Sequence, residues 1–74
     1  MTLKNLECVV LKRDVPESGL RRGDVGTVVQ TYPNGGLEVE FVTATGSTVA
    51  VVTLTDADVR AATSADVLAA RSSA

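Results

Sequence analysis

The sequence predicts one small, mainly β domain, and three features lead to that prediction. Thirteen Val and nine Thr occur without a single Ile, and β-branched side chains favour strands over helices. Six Gly interrupt the apolar runs at the spacing of short strands. A chain of 74 residues buries only a small core. We therefore expect a single β domain with no separate substrate domain.

The first strand is expected in the apolar run from Leu6 to Leu11. A loop follows, and Pro16 should stiffen it because proline fixes its own φ and restricts Val15, the residue before it. Val15 and Leu20 are the bulky apolar residues of this loop. We expect both side chains to fold back onto the core.

Two glycine-containing turns frame the second strand. Gly23 and Gly26 are expected to take positive φ in the turn before this strand, and Asp24 is expected to accept hydrogen bonds from backbone amides of the turn. After the strand, Asn34-Gly35 predicts a tight hairpin, because these residues accept the paired positive φ angles of primed turns. A β-hairpin is therefore expected around this position.

The third strand is predicted from strict alternation. One face carries Leu37, Val39 and Phe41, and the opposite face carries Glu38 and Glu40. An apolar face of this kind should pack on the core, with the two carboxylates in solvent. Phe41 is the largest apolar side chain, so we expect it at the centre of the core.

A tight turn at 43–47 should lead to a fourth strand at 48–54. Val49, Val51 and Thr53 lie on one face of this strand, and the opposite face is also apolar. Either the strand is covered on both sides, or Val49 and Val51 form a self-association surface that would join two copies as a homodimer. We favour coverage on both sides.

The end of the chain predicts a helical turn, a closing strand and a tail. Thr55 should cap the turn at 55–58, and Val59 to Ala62 should return to the sheet. Residues 63–74 are rich in Ala and are expected to form a short helix, capped by Ser64, or to be disordered. Residues 1–62 then form a partly open SH3-like barrel of four or five antiparallel strands, with an oligonucleotide-binding-type barrel as the alternative.

The residue types that are missing exclude most enzyme chemistry. The sequence has no His and one Cys, Cys8. A Ser-His-Asp or Cys-His site, a His-based metal site and an internal disulfide are therefore excluded. We predict a chain that is not an enzyme, with no catalytic residues, no metal and no cofactor. Cys8 lies in an apolar run and is expected to behave as a small hydrophobe.

Targeting signals are also absent from the sequence. Lys4 and Glu7 interrupt the apolar stretch that a signal peptide would need, and the uncharged stretch at 42–55 is too short to span a bilayer. We therefore expect no membrane contact and a cytoplasmic location.

An ordered set of segments resembles a known family. The run from Leu20 to Val29 contains Gly-Asp-Val-Gly-Thr-Val, follows Asp14-Val15-Pro16-Glu17, and precedes Val39-Glu40-Phe41-Val42 and Val52-Thr53-Leu54. Together they resemble the prokaryotic domain of unknown function 4926 over about Leu6 to Ala62. The resemblance implies a small free-standing SH3-like barrel and no reaction. The glycine-containing motif alone is also similar to the start of KOW-type barrels.

A candidate partner surface follows from the charges. Four of the seven cations bracket the first loop, and a tyrosine lies on a nearby turn, namely Lys12, Arg13, Arg21, Arg22 and Tyr32. Exposed Arg and Tyr are common at interfaces, so we predict a protein–protein interaction module, as the small accessory or neutralising partner of a larger protein. The alternative is a KOW-like RNA- or ribosome-associated module, which the net charge of −2 disfavours. The simpler interpretation of the four cations is local ion pairing on a solvated loop.

Overall fold

The structure is a computed structural model that describes residues 3–42 and 49–66, the side chain of Val49 excepted. Five strands form one antiparallel sheet in the order β4-β3-β2-β1-β5. The strands are β1 (Cys8–Leu11), β2 (Val25–Thr31), β3 (Gly36–Val42), β4 (Val49–Thr55) and β5 (Val59–Ala61). The mainly β class predicted from the sequence is confirmed.

A short connection joins the two edge strands of the open sheet. The described residues form two short 3-10 turns, the first at Pro16–Ser18 in the first loop and the second at Asp56–Asp58. At the second turn the chain leaves β4 and returns as β5 beside β1. Thr55 caps this turn as predicted, because its hydroxyl and the Asp58 carboxylate form a capping box. β4 and β5 remain the two edges of the sheet. No helix in the described part of the chain has the length and apolar composition needed to cross a membrane.

The core lies on one face of the sheet. The alternation predicted for β3 is confirmed, since Leu37, Val39 and Phe41 are buried. Val15 is also buried, and Leu20 packs against the core, as expected for the first loop. Val15 and Leu20 pair their backbones across the loop, and this pairing brings both side chains to the same side. The remaining buried members of the core are Leu3, Val9, Leu11, Val28, Leu54 and Val59.

The first strand is shorter than predicted. Leu6 has a positive φ of 68° and is 78% exposed, so the strand begins only at Cys8. Cys8, expected to behave as a small hydrophobe, has an exposed side chain and is not part of the core. Val9 and Leu11 occupy the core side of this strand, and the strand alternation therefore directs Cys8 outward.

The two glycines before β2 have different roles. Gly23 takes a φ of 97°, as predicted. Gly26 does not take positive φ, because it lies inside β2 with the Phe41 ring packed on its backbone. A Cβ at position 26 would lie 2.7 Å from both the Phe41 ring and a Val39 methyl group. The residue is glycine because the core approaches the strand closely there.

The β2–β3 hairpin is present, but its turn differs from the predicted one. Gly35 donates its N–H to the Tyr32 carbonyl over 3.1 Å, and Gly35 has a φ of 88°. Asn34 does not have positive φ, so the paired positive φ angles of a primed turn are absent. The loop is a three-residue turn with glycine at its left-handed position, and the Asn34 side chain accepts a bond from the Gly36 N–H.

The fourth strand is not covered on both sides. Leu54 is buried and Val52 packs against the core, whereas Val51 on the opposite face is 55% exposed. The favoured expectation of two-sided coverage is therefore wrong for this strand. The turn expected at 43–47 and the side chain of Val49 lie outside the described residues.

The segment after β5 is described only as far as Asp66. A helical segment begins at residue 64, and Thr63, not Ser64, caps it, since the Thr63 hydroxyl accepts the Asp66 N–H over 3.2 Å. The rest of the tail predicted as helical or disordered lies outside the described residues.

Candidate functional site

The base of the first loop, residues 12–24, is closed by the backbone. The Leu11 N–H donates to the Asp24 carbonyl, and the Gly23 N–H donates to the Leu11 carbonyl, each over 2.9 Å. The ends of the loop are therefore adjacent. This closure places Lys12 and Arg22 beside each other, although ten positions separate them in the sequence.

Two acidic residues of the loop, Asp14 and Asp24, accept hydrogen bonds from its backbone. The Asp14 carboxylate accepts the Arg22 N–H over 2.8 Å, and the Asp24 carboxylate accepts the Arg21 N–H over 2.9 Å. Asp24 therefore fixes the turn, as the sequence predicts. In the described part of the chain, no carboxylate lies within ion-pairing distance of Lys12, Arg21 or Arg22.

A groove opens where the loop base meets β1 and β5. It has a volume of about 320 Å³ and an apolar floor that includes Val10, which is buried but lies outside the core cluster. Three cationic side chains line it, those of Lys12, Arg22 and Arg60. This basic groove thus contains two of the predicted cations and one that the sequence analysis did not select. Arg60 lies in the groove because the register of β5 on β1 places it opposite Val10.

Arg60 is oriented by a neighbouring carboxylate. Its guanidinium donates two hydrogen bonds to Asp66, over 2.8 and 3.0 Å. This bidentate contact raises the pKa of Arg60 and, with bonds from the Thr63 N–H and hydroxyl, holds the pKa of Asp66 far below its usual range. Both partners are exposed, so their main effect is to fix the guanidinium at the rim of the groove.

Arg13 has a structural partner on the second 3-10 turn. Its Nε donates to Asp58 over 2.8 Å, which raises the pKa of Arg13. The hydrogen bond from Arg13 and one from the Thr55 N–H lower the pKa of Asp58. Local ion pairing, the simpler interpretation of the four cations, thus describes Arg13. The contact ties the first loop to the connection between β4 and β5.

Arg21 and Tyr32 occupy separate positions. Arg21 lines a shallow groove formed by loop residues that include Pro16 and Leu20. Tyr32 is 41% exposed on the β2–β3 turn and lines another groove together with Asp56. Among the grooves that the described residues line, Lys12 and Arg22 share one, whereas Arg21 and Tyr32 line two others.

The second 3-10 turn lies between the first loop and the tyrosine turn. Its Asp58 carbonyl accepts the Lys12 N–H over 2.8 Å, and its Asp56 N–H donates to the Gly35 carbonyl over 3.1 Å. The loop base and the β2–β3 turn therefore flank the same short segment. A partner that lay along this segment would meet the cations at one end and the Tyr32 ring at the other.

The chemistry available at this surface is electrostatic and apolar. Within the described residues there is no group of three or more metal-ligating side chains and no buried polar side chain without a hydrogen-bond partner. Glu38 and Glu40 lie elsewhere, on the outer face of β3, where Glu38 accepts the Thr53 hydroxyl. The arrangement is suited to holding an anionic group of a partner against an apolar floor.

One comparison with known proteins gives a match. A family model described as "Domain of unknown function (DUF4926)" matches residues 5–61. No curated protein and no solved structure matches the chain. The match covers all five strands and the first loop, and it ends at the last residue of β5. The next residue, Ala62, still donates its N–H to a carbonyl of β1.

Proposed function

The chain belongs to the DUF4926 family, and we propose that it acts as a non-enzymatic protein–protein interaction module. Its contact surface is the basic groove together with the second 3-10 turn. The observation that supports this proposal is the closed loop base, which brings Lys12 and Arg22 to Arg60 above a buried Val10. The cations attract an acidic partner, and the apolar floor can bury apolar surface of that partner.

The partner is proposed to be a larger protein that presents an acidic segment. The whole chain has a net charge of −2, so the positive potential is local to this surface. Tyr32, across the 3-10 turn from Lys12, supplies an exposed ring of the type common at interfaces. A chain of 74 residues would act as the small accessory or neutralising component of such a complex.

A protein partner is favoured over RNA because the features of RNA recognition are sparse. Single-stranded RNA is bound by aromatic rings that stack on bases beside a continuous cationic track. Here Tyr32 and Phe41 are the only aromatic residues, and Phe41 is buried in the core. A KOW-like role would have to rest on three cations, one of which, Arg60, already contacts a carboxylate.

We further propose a cytoplasmic location. Cys8 is free and exposed at the start of β1. An exposed thiol remains reduced in the cytosol, whereas an oxidising compartment would promote its disulfide exchange.

Affinity purification of the tagged full chain from its host tests the proposal. The wild type and Arg22→Glu are compared. The substitution keeps the backbone bond from residue 22 to Asp14 and changes the charge of one groove-lining side chain from positive to negative. Lys4→Glu is the matched control, since it alters net charge equally at an exposed position away from the groove. We expect one protein to co-purify with the wild type and Lys4→Glu and to be lost with Arg22→Glu.

Two outcomes would count against this proposal. A partner retained equally by Arg22→Glu would show that the basic groove is not the contact surface. Nuclease-sensitive recovery, with binding to RNA that weakens steeply as salt rises, would favour the RNA-associated role.

A further inference from the structure

The edge formed by β4 lacks the features that usually prevent edge pairing. Natural edge strands are short, charged, bulged or interrupted by proline. β4 has seven residues with the sequence Val-Ala-Val-Val-Thr-Leu-Thr, which contains no charge and no proline. Its register with β3 is continuous over seven pairs, from Gly36 with Thr55 to Val42 with Val49. The strand is therefore regular, and among residues 3–42 and 49–66 no strand pairs with its outer edge.

The backbone register shows which groups of β4 point away from β3. The Asp56 N–H donates to the Gly35 carbonyl, so this pair belongs to the hydrogen-bonded type, and the types alternate along an antiparallel ladder. It follows that Ala50, Val52 and Leu54 bond to β3. The N–H and C=O groups of the alternate residues are directed outward, those of Val49, Val51, Thr53 and Thr55.

These outward groups match those of an identical strand. If two copies of β4 pair antiparallel about Val52, then Val51 lies opposite Thr53 and Val49 opposite Thr55. Both Val51–Thr53 pairs are then of the hydrogen-bonded type, and the Val49 N–H faces the Thr55 carbonyl, while the Thr55 N–H stays with the Asp58 carboxylate. Each face of one strand continues the same face of the other. The strand is its own complement in backbone and in side-chain pattern.

Charge distinguishes edge pairing from packing of the outer faces. Glu38 and Glu40 lie on the outer face of β3, opposite Thr53 and Val51. Stacking two such faces would bring the carboxylates of both copies into one desolvated layer, which is unfavourable. Edge pairing leaves these carboxylates in solvent and joins two strands that have no charge.

We propose that two copies of this chain associate through antiparallel pairing of β4 with β4, which forms one continuous ten-stranded sheet across a two-fold axis. The basic groove lies on β1, β5 and the first loop, so β3 and β2 separate it from this edge. The association therefore does not depend on the basic groove. It gives each assembly two copies of the basic groove.

Sedimentation velocity of the full chain from about 1 μM to about 1 mM, the range of weak to moderate affinities, tests the proposal. We expect a reversible monomer–dimer equilibrium for the wild type. Val51→Lys should weaken dimerisation at least about tenfold, because the two lysines meet near the two-fold axis. Its fold should persist, since position 51 lies opposite Glu40 on β3 and its side chain is exposed.

Val42→Lys is the matched control, because Val42 is 56% exposed on the same outer face but lies on β3. Edge pairing predicts that this variant dimerises like the wild type. If Val51→Lys failed to fold, Thr53→Lys would replace it, since position 53 lies opposite Glu38. The proposal is overturned by a wild type that stays monomeric throughout, by unchanged dimerisation of the lysine variants on β4, or by dissociation of Val42→Lys, which would indicate face packing.

Discussion

The two edges of the sheet differ in nearly every property that governs strand pairing. β5 has three residues, and its central residue Arg60 donates two bonds to Asp66 on the segment that follows. β4 has seven uncharged residues, with Val51 more than half exposed. One edge is thus protected by shortness and charge, and the other is open. Exposure of an edge strand is therefore a property of each edge and not of the fold.

The two edges are suited to different kinds of binding. At the β5 edge, the charge that discourages strand pairing also lines the basic groove, so this side is suited to an acidic partner. At the β4 edge, backbone groups that point away from β3 are suited to another strand. The second 3-10 turn connects the two edges, and its contacts with Arg13 and Thr55 fix their relative position.

The largest expected effect concerns the two faces of the open edge strand. Leu54→Ala removes a buried side chain from the core face of β4 and should cost about 2–5 kcal/mol of unfolding free energy. Val51→Ala on the exposed face should change that free energy by less than about 0.5 kcal/mol in dilute solution. Urea denaturation of both variants measures the contrast. Equal losses would mean that the outer face of β4 is covered.

A smaller effect is expected at the connection between the edges. Asp58→Asn weakens the capping box and the contact with Arg13, and should cost about 1 kcal/mol of unfolding free energy. Asp56→Asn is the control, because the Asp56 carboxylate accepts no hydrogen bond among the described contacts. Indistinguishable urea midpoints for the two variants would contradict the role given to Asp58.

The same carboxylate predicts a direction for the pH dependence. The pKa of Asp58 is lowered in the folded state, so the native state binds its proton less readily than the unfolded chain does. Its contribution is therefore complete above the ordinary Asp pKa of about 4 and is lost as the pH falls through the lower folded value. The stability difference between wild type and Asp58→Asn should be constant from neutral pH to about pH 5 and shrink below about pH 4. A difference that grew on acidification would contradict this account.

The smallest effect is expected at the protected edge. Asp66→Asn removes the ionised partner of two exposed groups, Arg60 and the Thr63 hydroxyl. We expect faster amide exchange at position 66, because the N–H of this residue donates to the Thr63 hydroxyl in the wild type. The change in urea midpoint should be smaller than for Asp58→Asn. Amide exchange read by NMR measures this. Unchanged exchange would show that the contact does not order the segment after β5.

Local pattern was sufficient to predict much of this fold. Alternation identified the buried face of β3 through Phe41, and the cap at Thr55 placed the connection to β5. Both depend on neighbours in the sequence. Gly26 was misassigned because its reason is a ring packed on it from another strand. The exposure of Cys8 likewise depends on where the strand begins, which the positive φ of Leu6 determines.

The candidate site was predictable only in part. Lys12 and Arg22 lie close together because the two ends of one loop meet. Arg60 was missed because its place in the groove depends on the register of β5 against β1, which no local pattern encodes. The open edge at β4 was missed for a related reason, since both apolar faces of the strand suggested burial and only the strand order shows which strand is last.

Amide hydrogen exchange of the wild type at two concentrations tests the central claim about the edges most directly. The amides of Val51 and Thr53 point away from β3, and by the same alternation the amide of Ala61 points away from β1. Between about 10 μM and about 1 mM, exchange at Val51 and Thr53 should slow at least about tenfold, while Ala61 should not change. Equal behaviour of the two edges, whether both slow or neither does, would contradict the account.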